Sequence, residues 1–469
     1  MNDVFRALRE QGAVIERLCS DSRAAGPGTA FFAYPGETSD GRRFIPDALQ
    51  RGVSAVVWEE RAFEWRPEWR LPNVAVRDLK AGAGELAGEF YGRPSDELWV
   101  CGVTGTNGKS SCSHWIAAAL SARAPGAVVG TLGYGEPGKL APLPNTTPDA
   151  LELQRLLRGF VDAGKKVVAM EVSSHGLVQG RVSGIAFDCA LFTNLSHDHL
   201  DYHGSMEAYG EAKARLFDVP GLSAAVINVD DAFGAQLAQR TKSRLRVIGY
   251  GWSTRPVVEV DEYLAPTLLE GVDTGQVGRF NVLNVLGVVG VLRAYGLTLD
   301  EALASVRRLP RVPGRMEKIG ERPMVVVDYA HTPDALEKVL AALRPAAEQR
   351  GGKLVVVFGA GGDRDPGKRP IMGEVAARLA DRVFVTSDNP RGEDPLAIIA
   401  AIERGMRGAH EREPDRREAI AAAVRSASEA DVVLIAGKGH EEYQEIAGRR
   451  EPFSDAGAAR DALASRGGR

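Results

Sequence analysis

Residues 102–111 read GVTGTNGKSS, with two glycines, a lysine and a hydroxyl close together. Those types in that order suit an anion. Gly105 and Gly108 let backbone N–H groups turn toward it, and the helix expected next adds the positive end of its dipole. Lys109 can reach a β- or γ-phosphate, and the Ser110 hydroxyl can ligate Mg²⁺. Position 103 is Val, so the stretch departs from the strict G-x₄-G-K-[ST] spacing. The alternative is a glycine turn with a surface lysine; strand, loop and helix in register favour the phosphate loop. Such a loop serves kinases, motors, switches and ligases alike. Two further groups could do chemistry. Glu171 ends an apolar run in MEVSSHG (170–176). NLSHDHLDYHG (194–204) holds His197, Asp198, His199, Asp201 and His203 within eleven residues, and a metal site is expected there over a polar loop with local hydrogen bonds.

These residues need elements to hold them. LWVCGVTG (98–105) is a continuous apolar run ending in glycine, which suits a buried parallel strand. SSCSHWIAAALSA (110–122) reads as a helix with Ser at its capping end. Buried strands are also expected at 166–172, 189–195 and 224–230, with helical patterns between them. The β-then-α rhythm restarts beyond RRLPRVPGRME (307–317), with apolar runs MVVVDYA, KLVVVFGA, DRVFVTSDNP and DVVLIAGKGH ending in polar or glycine residues. Ligands of doubly wound sheets bind beyond the carboxyl ends of strands, so these four ends are candidate site residues. The polar stretch YGRPSDE (91–97) marks an earlier boundary. The expectation is an α/β protein of three domains, 1–96, 97–309 and 310–469, the central one a parallel sheet.

Composition sets the outer limits. The 469 residues are 44% hydrophobic and 26% charged with a net charge of −4, so neither nucleic acid nor an anionic membrane surface is expected as the main partner. The run VLNVLGVVGVL (282–292) is too short to span a bilayer, and the N-terminus lacks the apolar core of a signal peptide. Cys19, Cys101, Cys112 and Cys189 form no CxxC and no metal spacing. They read as reduced thiols of a cytoplasmic protein.

Seven motifs, TGTNGKS, EVSSHGL, SHDHLDYHG, GRFNVLNVL, PGRME, DYAHTPDAL and GKGHEEYQ, run in this order along essentially the whole chain. Together they resemble the Mur ligases of peptidoglycan synthesis, in particular the members that add the third amino acid, diaminopimelate. The resemblance implies a smaller N-terminal domain holding a uridine nucleotide, a central domain holding ATP and a Rossmann-like C-terminal domain admitting the amino acid. It implies ATP and Mg²⁺ as cofactors, and a UDP-N-acetylmuramoyl dipeptide and meso-diaminopimelate as substrates. The dipeptide carboxylate is phosphorylated, the amine attacks the acyl phosphate and phosphate leaves. A monomer is expected.

Carried over by motif, the loop Gly105, Thr106, Asn107, Gly108, Lys109 and Ser110 binds ATP, with Asn284 at the adenine, Arg315 facing the phosphates, and Asp328 and His331 where the third domain meets ATP. For Asp328 and His331 the alternative is strand-end capping. Ser110, Glu171, His199 and Lys213 match metal or metal-linked positions, and Lys213 matches a lysine that is carbamoylated in the family; Lys109, Lys213, His199 and Glu171 form the catalytic set. Without the resemblance Lys213 reads as a solvated helical lysine. The uridine substrate is assigned Ser20, Ser22, Asn145, Thr146, Thr147, Ser173, Gln179 and Arg181, with Glu37–Ser39 in the nucleotide loop. Diaminopimelate is assigned Arg364, Asp388, Asn389, Pro390, Arg391, Gly437 and Glu441. Pro390 stiffens the backbone before Arg391, whose planar guanidinium suits the ligand's second carboxylate, while Glu441 would pair the distal ammonium. An ion pair of Arg391 with Glu393 or Asp394 is the structural alternative. Ligation of L-lysine or L-ornithine is the nearest competing function. A folylpolyglutamate synthase-type ligase is the next; it should lack both DNPR (388–391) and the uridine-binding domain.

Overall fold

The computed structural model describes residues 2–37, 39–276 and 278–466. Its frame is three sheets in series. The first is four-stranded and parallel throughout, in the order Arg17–Cys19, Thr29–Ala33, Ala55–Glu59, Asn73–Val76. The second has nine strands. From one edge these are Glu262–Leu264, Arg246–Tyr250, Ala224–Asn228, Cys189–Phe192, Trp99–Thr104, Val167–Glu171 and Gly126–Gly130, all parallel, then Gly133–Glu136 and Lys139–Ala141, both antiparallel. The third has six strands: Glu317–Glu321, Met324–Asp328, Val432–Ala436, Leu354–Phe358, Arg382–Val385 and Glu411–Arg412, with only the first antiparallel to its neighbour.

The apolar runs become strands because helices cover both faces of the second and third sheets. Each of these two sheets separates two buried apolar clusters, so a strand with no polar face is the one that fits. Trp99–Thr104 lies at the heart of the nine-stranded sheet. Val167–Glu171 flanks it on one side and Cys189–Phe192 on the other, with Val103 opposite Glu171 and Thr104 opposite Phe192. Strand order therefore gathers the glycine loop, Glu171 and the start of the histidine segment at one carboxyl edge.

One expectation about the loop is corrected. The helix runs Lys109–Leu120 and its N-cap is Gly108 at φ +89°, with no side-chain cap. Ser110 and Ser111 lie inside the first turn. A glycine makes the left-handed turn without strain and leaves the first-turn N–H groups for an anion, where a serine cap would consume one. The strands Gly126–Gly130 and Arg246–Tyr250, and the antiparallel pair Gly133–Glu136 and Lys139–Ala141, were not singled out in the sequence; GTLGYGEPGKLAP alternates too little to show a strand.

Candidate active site

The phosphate loop is built by close approach. A Cβ on Gly105, at φ +141°, would lie 1.9 Å from Thr193 Oγ1. That hydroxyl donates to the carbonyl of Asn107 at 2.5 Å, and Asn194 Oδ1 accepts from the Asn107 N–H at 3.0 Å. Lys109 Nζ donates to the carbonyls of Gly105 and Thr106, both at 2.8 Å. Lys213 Nζ reaches the same Gly105 carbonyl at 3.0 Å and lies 4.2 Å from the Tyr209 ring centroid. At 1% exposure Lys213 is not the solvated lysine its helical setting alone suggests. Burial lowers the pKa of both lysines, and for Lys213 the charge of Lys109 adds to the effect. Two ammonium groups on one buried carbonyl form a site short of negative charge.

Of the three histidines in 197–203, His199 and His203 both pack against His175, with ring centroids at 4.9 and 5.5 Å, and His197 turns toward the C-terminal unit. His197 Nε2 pairs with Asp365 of the third sheet's unit at 2.8 Å. His203 Nε2 bonds Ser174 Oγ at 2.9 Å. His199, left-handed at φ 55°, lies 3.3 Å from Asp198 and edge-on to His175. Among the described residues no group of three or more His, Cys, Asp or Glu could hold a metal ion by itself. Oxygen donors lie beside the loop, in the cavity that His199 also lines. Ser110 Oγ accepts from Arg315 at 2.8 Å, and Glu171 accepts from the N–H and hydroxyl of Thr131 at 2.9 and 3.1 Å. A few hard oxygens next to a phosphate loop fit Mg²⁺, which keeps several waters and takes phosphate oxygens rather than an all-protein cage.

A cavity of about 970 Å³ opens over this loop. Asn107, Lys109, Ser110, Glu171, His199 and Asn284 line it from the central unit, and Arg315, Asp328 and His331 from the C-terminal one. Asn284 backs the loop tightly, for a Cβ on Gly108 would meet its Oδ1 at 2.6 Å. The Arg315 guanidinium stacks 4.2 Å from the Tyr329 ring. Asp328 accepts from the N–H groups of Met316 and Ala330 at 2.7 and 2.8 Å, so it does cap its strand end. His331 Nδ1 bonds the Tyr329 carbonyl at 2.8 Å, and burial pushes its pKa down to about 4. Phe280, Ala342 and Pro345 complete the wall. Phe280 lies within GRFNVLNVL, where the resemblance assigns it no role, and no motif marks Ala342 or Pro345, since single apolar residues on helices read as core.

The residues assigned to the uridine substrate lie along the junction of the first two sheets. Asp21 caps the turn that holds Ser22. Tyr34 is hydrogen-bonded to Ser20 and feels the charges of Asp149 and Arg181 from the central unit. Thr147 Oγ1 donates to the Glu171 carbonyl at 3.0 Å and its carbonyl accepts from Arg181 at 2.9 Å. Ser173 caps the helix Ser174–Val178. Gln179 and Tyr202 both donate to Glu37 at 2.7 Å. Thr38 lies outside the described residues. Asn145 and Thr146 line a second cavity of about 1300 Å³ that shares Thr131, Thr146, Arg364, Arg391 and Glu441 with the first.

The amino-acid candidates meet where the two cavities join. Arg364 and Arg391 flank Gly361, whose Cβ would lie 2.9 Å from Arg391 Nη1. Arg391, at φ 51°, donates its N–H to Glu445 and accepts from Ala447, while Nη1 bonds the Gly362 carbonyl at 2.7 Å. Glu393 pairs with Arg369 and Asp394 caps the helix Pro395–Glu403. Neither arginine has a carboxylate partner among the described residues. Glu441 Oε2 accepts from Lys438 and Asn389, both at 2.8 Å, so the expected ammonium receiver already carries one cation. A Cβ on Gly437 would lie 2.4 Å from Asp388 Oδ2.

Three family descriptions match the chain: "Mur ligase family, catalytic domain" at 14–91, "Mur ligase middle domain" at 103–292 and "Mur ligase, glutamate ligase domain" at 314–439. The chain belongs to the Mur ligase family. It is 50% identical to the UDP-N-acetylmuramoyl-L-alanyl-D-glutamate–2,6-diaminopimelate ligase of Chromobacterium violaceum, over 98% of this chain and 97% of that protein. Identity to the Pseudomonas aeruginosa protein of the same name is 48%, over 99% and 98%. A solved structure bearing that name superposes with a TM-score of 0.65 at 36% identity, covering 97% of this chain and 95% of the other. The MurF ligase of Thermotoga maritima in complex with ADP shares the fold at 18% identity, with a TM-score of 0.64 over 97% and 98%.

Proposed function

We propose that this chain is the cytoplasmic, ATP- and Mg²⁺-dependent ligase that joins meso-2,6-diaminopimelate to UDP-N-acetylmuramoyl-L-alanyl-D-glutamate through an acyl phosphate. Residues 1–96 hold the uridine nucleotide, 97–309 ATP, and 310–469 the amino acid. Ser110, Glu171 and His199, with Lys213 as a carbamate, would hold Mg²⁺, which when bound offsets the repulsion between two anionic reactants. Lys109 and the first-turn N–H groups stabilise the phosphate in transfer, and Arg315 donates to the oxygens around it. The attacking amine enters from the side of Arg364 and Arg391, which take the ligand's carboxylates in paired hydrogen bonds.

The observation that carries this reading is the pair of arginines without carboxylate partners, opened to the same cavity as the phosphate loop. Lysine and ornithine bring no distal carboxylate. A site built to hydrogen-bond a group rejects the analogue lacking it by ~10⁴-fold. Phosphate release from ATP should require both the UDP-muramoyl dipeptide and diaminopimelate, with L-lysine poorly used. Arg391→Ala should raise the KM for diaminopimelate strongly and leave ATP binding intact. Equal use of lysine by the wild type would refute the role given to Arg391.

A further inference from the structure

Lys438 is a cation with no access to solvent. It follows the strand Val432–Ala436 between Gly437 at φ +120° and Gly439 at φ +54°, a backbone path that folds its side chain inward. Nζ donates to Asn389 Oδ1 at 2.9 Å and to Glu441 Oε2 at 2.8 Å. Asn389 Nδ2 donates to the same Glu441 oxygen, and the Glu445 N–H donates to Asn389 Oδ1. A lysine has donors only, so it fixes which way the Asn389 amide points and leaves Glu441 one free oxygen.

The charges around the join of the two cavities can be counted. The charged residues that both cavities share are Glu441, Arg364 and Arg391, and Asp388 and Lys438 stand beside them. Arg416 is closed off by Asp455 and the Glu445 carboxylate by Arg450. Burial works against the Asp388 carboxylate, but Lys438 and Arg416 outweigh it and hold the group below its usual range, so it is an anion. Among these five residues three are cations and two are anions. A ligand end carrying an ammonium and a carboxylate adds nothing to that balance; one carrying an ammonium alone adds a further positive charge at low dielectric.

We infer that Lys438 is a specificity-determining positioning residue: its buried ammonium, set behind Glu441 and Asn389, disfavours amino acids whose distal end is a bare cation. Discrimination then has a repulsive element besides the attraction of the arginines. The inference rests on the proposed function and refines its choice of amino acid.

Two measurements test it. In steady-state assays of the full chain, Lys438→Met should lower the ratio of kcat/KM for diaminopimelate to that for L-lysine by ~10-fold or more, since a charge at close range is worth at least that factor, and Lys438→Arg should retain the ratio. A purely structural lysine would lower both values together, and an unchanged ratio in a folded Lys438→Met overturns the inference. The second measurement needs no variant. As ligands of the wild type in thermal-shift titrations, L-norleucine, whose chain end is neutral, should bind ~10-fold more tightly than L-lysine. Tighter binding of L-lysine overturns the inference whether or not Lys438→Met folds. Failure of the wild type to ligate diaminopimelate would count against the proposed function instead, because the comparison of these two ligands is read without turnover.

Discussion

Lys213 and Lys109 share one carbonyl oxygen, that of Gly105. Removing water from two amines at such a distance favours the neutral form of each. A neutral amine is the form that adds carbon dioxide, and the resulting carbamate would replace a repulsive cation by an anion beside the phosphate loop. Lys213→Ala should therefore be nearly inactive, by ~10²-fold or more as for loss of a key transition-state charge, while keeping its fold by circular dichroism. Added formate or acetate should restore part of the activity by taking the carbamate's place. Full activity without rescue would return Lys213 to a packing role.

At the scale of the element, the loop from Gly105 to Gly108 depends on the absence of Cβ atoms. Gly105 takes a φ that L side chains rarely adopt, and the Thr193 hydroxyl occupies the space a Cβ would need. Thr193 also ties the loop to the neighbouring strand end through Asn107. Gly105→Ala should push these apart and abolish binding of a fluorescent ATP analogue, whereas an alanine at the exposed helical residue Gly159, with nothing within 4 Å of its Cβ, should leave it unchanged. Retained nucleotide affinity in Gly105→Ala would contradict the close packing.

Across the whole molecule, neutral histidines line the seam between the central and C-terminal units. Burial is the main cause that lowers His114 to about 4, His331 to about 4 and His440 to about 3, from an ordinary 6.5. Between those values and 6.5 the unfolded chain binds protons that the folded chain does not, so stability rises with pH across this window. It is fully present above 6.5 and is lost as pH falls toward 4. The thermal midpoint should drop steadily from pH 7 to pH 5, and His114→Gln should flatten that slope. An unchanged slope in this variant would show that His114 titrates alike in both states.

The sequence by itself determined the chemistry of single positions and the run of the chain. The apolar stretches at 98–105 and 353–360 suit buried strands, being short, without a polar face and closed by glycine, and the loop with Gly105, Gly108 and Lys109 follows from local backbone needs. Periodicity is local, however, and the partners of a side chain are not. His197 meets Asp365, His203 meets Ser174, and His199 and His203 both pack on His175, partners that lie far from them along the chain. Glu441 meets Lys438 and Asn389 only where two strand ends lie side by side, and Arg391 escapes Glu393 only because Arg369 takes that carboxylate. Strand order brought Glu171 next to Lys109, and the docking of the third sheet's unit brought Arg315 to Ser110. Such pairings span many residues of chain. They are decided by which surfaces bury apolar area together, a property that exists only once the tertiary structure has formed.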